Sequence, residues 1–481
     1  MRKLTLERIT PIILLALLLG MATRIPVDTD TWWHLRSAEY VLENGTIHGD
    51  PFSHTKMGET WINHSWGAQI VMQGAYTLLG DAGLGLFTAL LAAGGMMLLF
   101  RISAGMVYMR AMIIILGAAT AAVFWTARPQ MISFFLHCLL IYILLDTKRN
   151  GIDRLWFILP LMWLWGNLHA GYSIGFIMLG AFVVGEIVNH LTGTAEHKLP
   201  RSAIIKLIVI TVLAPIVMLL NPYGLDMLLV PFRTVGIGEL RQFIQEWNSP
   251  NFQGAETFPF IAMIALLFMA AWRSTLKFDW TYFFLISGTM FMALLYGRNI
   301  AVYAVVATPI LSYFVADVFN SFNLNFRPRQ TVTKTLARLN ILIAALVVGG
   351  YLFYLLATLN PVIIAENQVD FLPVEAVVYM NNSELEGNLF NSYNAGGYIM
   401  FAAPDYPVFI DGRTDLYGDF LSTYIRTSSA ASGWRDTLAE YDIGIVLIET
   451  KASLAVALRD ESGWDEVYDD ENWSIFTQEA E

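Results

Sequence analysis

The sequence predicts a polytopic α-helical membrane protein with a small α/β domain at its C-terminal end, and three observations predict it. Apolar residues make up 56% of the 481-residue chain and charged residues only 14%, whereas a soluble globular protein carries about 25% charged residues. The apolar residues recur in runs close to the ~20 residues that cross about 30 Å of hydrocarbon. After about residue 360 that pattern stops and short strand and helix signals replace it.

The first span is read at 9–25. Arg2, Lys3 and Arg8 precede or open it, and Ala22-Thr23-Arg24 is a poor processing site, so the span is taken as uncleaved with its basic end cytoplasmic. Further apolar segments occur at about 83–100, 111–127, 131–146, 155–168, 171–189, 203–220, 257–272, 279–296, 299–317 and 339–358, giving about 11 transmembrane helices. Counting from a cytoplasmic N-terminus, one set of loops holds Arg101, Arg110, Lys148, Arg149, Arg154, Lys198, Arg201, Arg273, Lys277, Arg327, Arg329, Lys334 and Arg338. Arg24, Arg36, Lys56, Arg128, Arg233, Arg241 and Arg298 are spread over the much longer loops opposite. The alternation follows the positive-inside bias along the chain. The first outer loop, about 24–82, contains a helix pattern at 66–79 that is too short to cross and lies at the interface; 223–235 reads as a second. These assignments divide the chain into a transmembrane domain, 1–358, and an extracytoplasmic α/β domain, 359–481. In the latter, 388–401 and 408–410 read as strands, with Gly396-Gly397 marking a close approach or bulge. Residues 432–439 read as a helix, 443–447 as a strand, and 473–476 closes the domain.

Composition also excludes function classes. The net charge is −11, with much of the acidity after Glu366, and basic residues are not clustered with aromatics, so nucleic acid is a poor partner. Cys138 is the only cysteine, which rules out an internal disulfide and a Cys-based metal site, and it reads as a small buried hydrophobe.

The topology gathers the unusual polar groups at one face. Asp28, Asp30, His34, Asp50, His54 and His64 fall in the first outer loop, behind the first span. Ionisable groups at the mouth of an apolar helix need water, a metal or a charged ligand. An Asp-x-Asp pair can hold a divalent cation against a phosphate leaving group, or supply the general base for an acceptor hydroxyl. An interfacial aromatic belt behind an Asx-type cap is the plainer reading of the same residues. His34 shares the face of Asp30 if the segment is helical. Trp32 and Trp33 suit a sugar ring or a headgroup-level anchor. Arg128 and Arg298 stand where spans reach the outer face, and they match phosphate oxygens or snorkel to headgroups. Asn167 and His169 end a tryptophan-rich span, where they contact substrate or cap helices. Glu246 offers a second acid. His54 and His64 are metal candidates beside Asp30 and Asp50, although their spacing fits no compact ligand rule. Asp50-Pro51-Phe52 reads equally as a turn. In the terminal domain Asp411, Arg413 and Asp415 form the densest polar cluster, on a loop after a short β pattern. Arg413 paired internally with Asp411 or Asp415 is the plainer reading, and Asn388, Asn391 and Asn394 read as turn residues.

An N-terminal span, an acidic motif opening a long first outer loop, interfacial helices, many further spans and an outer C-terminal domain resemble the integral-membrane GT-C glycosyltransferase superfamily. The strings DTDTWWHL, DPFSHT, ARPQ, WGNLHAG, NPYG, EWNSP, GRN and FIDGRTDLYG look like a prokaryotic branch of it, dependent on polyprenyl-phosphate sugars. The resemblance covers nearly the whole chain and implies a GT-C-like fold. It also implies transfer of a sugar from a polyprenyl-phosphate donor, at the outer leaflet, to a lipid, glycan or protein acceptor. The superfamily's loop carboxylate corresponds to Asp28 or Asp30. Asp30 is preferred as base because it is closer to His34 and Trp33, and Asp28 then orients the site or helps bind a metal. Some members need a divalent ion (Mg²⁺ or Mn²⁺) and others do not, so a metal at Asp28 and Asp30 stays open. Trp33, His34, His64, Arg128, Asn167, His169, Glu246 and Arg298 are the candidate substrate-binding residues. No Walker A or Rossmann fingerprint is present, and no nucleotide or redox cofactor is expected. The chain lacks the WWDYG-type motif of oligosaccharyltransferases, which argues against N-glycosylation. The competing classes are a transporter or flippase, which needs polar groups near mid-membrane, and a scaffold, which needs a solid interior.

Overall fold

The computed structural model describes residues 4–236, 245–324 and 332–478; Arg241, Arg327 and Arg329 lie outside these residues. Each apolar segment read from the sequence coincides with a helix. Among the described residues eight helices are long and apolar enough to cross a membrane, and Leu155–Leu168 and Trp280–Leu295 are shorter apolar helices. The first, α1 (Leu6–Ala22), has 17 residues. The chain is a multi-pass membrane protein.

The first loop contributes two helices. α2 (Asp30–Asn44) begins at the acidic motif and ends at Gly45, whose φ of 84° suits glycine. α3 (Trp66–Leu79) has the bounds expected from the sequence. The bundle continues through α4 (Asp81–Ile102), α5 (Val107–Ala121), α6 (Gln130–Asn150), α7 (Ile158–Leu168), α8 (Tyr172–Thr192) and α9 (Arg201–Met218). The stretch 223–235 likewise contains a helix, α10 (Leu225–Gly236). The bundle closes with the helices Phe258–Arg273, Trp280–Leu295, Ile300–Ser321 and Lys334–Thr358. Cys138 is buried within it.

The terminal segment forms a four-stranded mixed sheet in the order β1-β2-β4-β3, from Asn388–Asn391 (β1), Ile443–Glu449 (β2), Trp464–Asp469 (β3) and Trp473–Gln478 (β4). β1 and β2 are parallel, while β4 runs antiparallel to both β2 and β3. The expectation of a strand over 388–401 is corrected: pairing stops at Asn391, and Tyr393–Ala402 is a helix. Its two glycines are poor helix formers, but they allow contacts that a side chain would block. A Cβ on Gly396 would stand 2.1 Å from the Ile410 carbonyl oxygen, and one on Gly397 2.6 Å from that of Thr29. Val408 makes only an isolated parallel bridge, to Ser53.

This domain shares its core with the first outer loop. Trp33, Phe52 and Trp61 are buried in one apolar cluster with Leu389, Ile399, Ile445 and Ile475. Trp32 is buried against Tyr398 and Phe401, which leaves no free ring face for a sugar or a headgroup. The polar lock is Arg413, whose side chain is 0% exposed and which pairs with Asp411 at 2.7 Å and with Asp50 of the loop at 2.5 Å. Tyr417 donates to Asp411, and Phe52 and Trp61 flank the guanidinium. Asp415 is not a partner of Arg413; it accepts from Trp61 Nε1 and faces His64. Asp50 and His54 are likewise not set around a metal with Asp30. Asp50 caps its own turn and holds Arg413, and His54 Nε2 meets the Leu389 carbonyl at 2.9 Å. Asn391 is not a turn residue: it ends β1, and its side chain bonds the backbone of Phe409 and Ile410, 18 and 19 positions away.

Removing one partner of a buried pair strands the others, at about 3–5 kcal/mol. Arg413→Ala is therefore expected to lower the stability of the docked terminal domain by that amount. The measurement is the denaturant midpoint of the purified protein, together with limited proteolysis of the first loop.

Candidate active site

A cavity of ≈1560 Å³ opens between one end of the bundle, the first loop and the terminal domain. Its wall collects the starts of α6, α8 and the helix Ile300–Ser321, together with the last part of α9 and of Trp280–Leu295. The lining is therefore at helix ends rather than in mid-bundle.

Asp28 and Asp30 reach this cavity because their segment runs from the first span straight into α2, with Asp30 in its first turn. Thr31 donates to the Ala127 carbonyl at 3.0 Å, pinning α2 to the turn that carries Arg128. Arg128 then stands among three carboxylates, at 2.6 Å from Asp30, 3.6 Å from Asp28 and 3.0 Å from Glu246. Trp33 Nε1 donates to the other Asp30 oxygen at 3.1 Å. The terminal domain closes over the same carboxylate: a Cβ on Gly412 would stand 1.9 Å from Asp30 Oδ1.

Burial, opposed by Arg128 and helped by Asp28, leaves the Asp30 carboxyl raised to about 6. Burial works against the charge on Arg128, yet Asp30, Asp28 and Glu246 together hold it well above its ordinary value, a permanent cation. Burial also opposes the charge on Glu246, but Arg128 and Arg298 outweigh it and hold its carboxyl low. His34 and His169 are pushed well below the usual imidazole range, mainly by burial and further by neighbouring positive groups. Both are neutral. His169 Nδ1 accepts the Gly171 amide at 3.0 Å, which leaves the proton on Nε2. A chain from Asn63 through Gln69 reaches His34 Nδ1 at 3.1 Å and fixes that ring in the same tautomer. Arg298 differs from Arg128: among the described residues it makes no ion pair within 4 Å, and it lies 4.8 Å over the Trp247 ring.

No protein-family model matches the chain, and no curated sequence matches it. Solved structures do. The apo oligosaccharyltransferase of Archaeoglobus fulgidus aligns over 92% of this chain and 69% of its own, at 12% identity and a TM-score of 0.54. ArnT from Cupriavidus metallidurans bound to undecaprenyl phosphate aligns over 98% of this chain and 97% of its own, at 12% identity and a TM-score of 0.52. The apo state of the same ArnT gives 13% identity and a TM-score of 0.51 over 96% and 95%. The fold is GT-C-like. At these identities the likeness is one of architecture, and the residues of the site are this chain's own.

Among the residues singled out from the sequence, the GT-C-like fold brings Asp28, Asp30, Trp33, His34, His64, Arg128, His169, Glu246, Arg298 and Asp415 to the cavity wall. Trp32, Asp50, His54, Asn167, Asp411 and Arg413 do not line it. Asn167 faces the bundle's edge, donating to the Trp163 and Leu220 carbonyls. Asp411 and Arg413 are sealed in their lock with Asp50. Thr414, within the polar cluster of the terminal domain, lines the cavity; Tyr393 and Tyr424 line it without having been anticipated, and nothing in their local sequence marks them. Among the described residues no group of three or more His, Cys, Asp or Glu side chains converges as metal ligands. The oxygens of Asp28 and Asp30 turn to Arg128 instead.

The raised Asp30 carboxyl is directly measurable. Infrared difference spectra between wild type and Asp30→Asn are expected to show a carboxyl band titrating near pH 6. A band titrating at about 3.9, the unperturbed value, would contradict the burial of this carboxylate.

Proposed function

We propose that the protein transfers a sugar from a polyprenyl-phosphate donor to a hydroxyl acceptor at the outer membrane face. The observation that carries this reading is the presence, in one cavity, of a poised carboxylate and an arginine that, among the described residues, makes no direct ion pair with a carboxylate. The cavity wall is two-natured: Phe134, Phe176, Ile177, Pro215 and Val302 from the bundle supply an apolar side suited to a polyprenyl chain, opposite the ionisable cluster. Pockets of this kind suit ligands with one apolar and one polar end. The basic residues concentrated in the loops at the opposite end support an outer placement.

In the proposed step Asp30 accepts the proton of the acceptor hydroxyl while its oxygen attacks the anomeric carbon. A new carbon–oxygen bond forms as the bond from that carbon to the phosphate oxygen breaks, and the lipid phosphate leaves with the electron pair. Arg298 binds that phosphate and stabilises its growing charge. Arg128 keeps Asp28, Asp30 and Glu246 together despite their mutual repulsion. Neutral His34 and His169 offer N–H donors to the sugar without adding charge.

A transporter reading would need the ionisable groups near mid-bundle; their position at helix ends favours the enzyme. A scaffold reading leaves the cavity unexplained.

The test is transfer of labelled sugar from synthetic polyprenyl-phosphate donors to mixed acceptors by the purified protein. Asp30→Asn is expected to cut turnover by about 10²–10⁴-fold, the usual contribution of a general base. Undiminished transfer removes Asp30 from the reaction. Because the base form is required, the wild-type rate should fall as pH drops through about 6. Arg298→Gln should raise the donor KM more than it lowers kcat, measured by varying donor at saturating acceptor. Gly412→Ala should lower kcat, because the added methyl, 1.9 Å from Asp30 Oδ1 and 2.8 Å from Trp33 Nε1, displaces the Asp30 carboxylate.

A further inference from the structure

A second cleft, of ≈450 Å³, lies between the end of the terminal sheet and the loop carrying the acidic motif. It adjoins the main cavity: Thr29 and Asn394 line both. Thr29 sits between the two aspartates, so the neck between the cleft and the cavity is one residue from Asp30 on the chain. The volume falls within the range of about 300–1,000 Å³ typical of small-molecule sites.

The cleft's chemistry is unlike that of the main cavity. Asp370, Glu449 and Glu471 line it against a single ammonium, Lys451. None of these four enters an ion pair among the described residues. Two aromatic side chains, Phe371 and Trp473, border it. Phe371 is 54% exposed. Trp473 is only 5% exposed, and its indole N–H has no hydrogen-bond partner. A buried donor left unpaired costs about 1–3 kcal/mol and calls for an acceptor.

We infer that this cleft binds an uncharged saccharide and presents one of its hydroxyls to Asp30 through the Thr29–Asn394 neck. The role of that saccharide as acceptor rests on the proposed transferase activity; its binding does not. A pyranose ring has C–H faces that lie against aromatic rings and a rim of hydroxyls that donate to carboxylates in charge-assisted bonds. The Trp473 N–H is buried at the cleft's edge, and a ring or hydroxyl oxygen reaches it when that side chain shifts toward the cleft. Three carboxylates against one ammonium repel phosphate and carboxylate groups, so anionic acceptors are disfavoured. The lipid-linked donor and the saccharide then enter by different routes, the donor from the apolar bundle side and the saccharide from water.

The test uses the full-length protein, purified in detergent, fluorescently labelled and applied without donor to an array of neutral, amino-substituted and phosphorylated oligosaccharides. Neutral glycans should be retained and phosphorylated ones not. Trp473→Phe keeps a ring and loses the donor, and should weaken retention by about fivefold. The double variant Asp370→Asn/Glu471→Gln changes two exposed side chains and leaves the core untouched; it should admit phosphorylated glycans. Retention of no glycan overturns the inference. So does preference for amino-substituted or phosphorylated glycans over neutral ones, or equal retention by all three proteins. Donor-dependent transfer measured on the same preparation separates the two ideas. An empty array alongside Asp30-dependent transfer sinks the cleft alone, and retained glycan alongside Asp30-independent transfer sinks the mechanism alone.

Discussion

The site depends on a buried guanidinium that never touches it. Arg413 brings Asp50 of the first loop and Asp411 of the terminal domain into one sealed network, with Tyr417 completing it. Burying these charges is costly, and the network offsets that cost only if every partner is present. The consequence is positional. With the loop and the domain locked, Gly412 can lie against Asp30 and Gly397 against the Thr29 carbonyl, at distances that exclude any side chain. The carboxylate is thus held from above by the domain, from the side by Trp33 and from below by Arg128. Precise placement of a reacting group requires its neighbours to be fixed first.

Charge at the two ends of the bundle is handled in opposite ways. At the end away from the cavity, Lys148, which the loop charge count placed outside the membrane, is buried with Glu186 and Asp279. Thr281 and the Leu199 amide also donate to Glu186, and Asn189 and the Thr281 and Tyr282 amides donate to Asp279. That network is closed, ties α6 to α8 and to the helix Trp280–Leu295, and has no vacancy for a ligand. At the cavity end three carboxylates share one arginine and a second arginine is left on an aromatic ring. A closed network specifies structure, whereas an open one of the same residue types leaves capacity for a substrate.

Much of the architecture was legible because its signals are local. Lipid imposes apolar runs of span length, so the helices of the bundle stand near their expected positions; the 66–79 pattern predicted α3. The acidic motif announced itself by falling just beyond a span. The rest depended on partners distant in sequence. Asp50 and Arg413 are separated by 363 positions, and no spacing rule links them, so the Arg413 pairing was anticipated only in its local half. Tyr393–Ala402 looks like a strand because its glycines lower helix propensity. Packing against Thr29 and Ile410 decides otherwise, since only a glycine-bearing helix fits there. Asn167 was drawn into the site by its place at a span end, but its amide is spent on neighbouring carbonyls. Tyr393 and Tyr424 were missed for the converse reason: their place on the cavity wall arises only when the domain docks.

The docking also explains why an active centre of this kind would sit at a helix end. A donor with a hydrocarbon tail and an acceptor rich in hydroxyls prefer opposite solvents, and neither can cross far into the other's. The groups that join them must stand at the boundary, with apolar walls on one flank and water on the other. Carboxylates at that boundary would ordinarily be ionised, strongly hydrated and poor bases. Covering them with a domain leaves the Asp28 and Asp30 side chains 17% and 19% exposed and raises Asp30 to about 6, while Arg128 prevents the rise from going so far that the base form is lost at neutral pH. The cover must then reach the carboxylate without occupying its space, and this is what Gly412 provides. A bulkier loop would exclude water equally well and push the base away from Arg128, so the glycine reconciles desolvation with alignment.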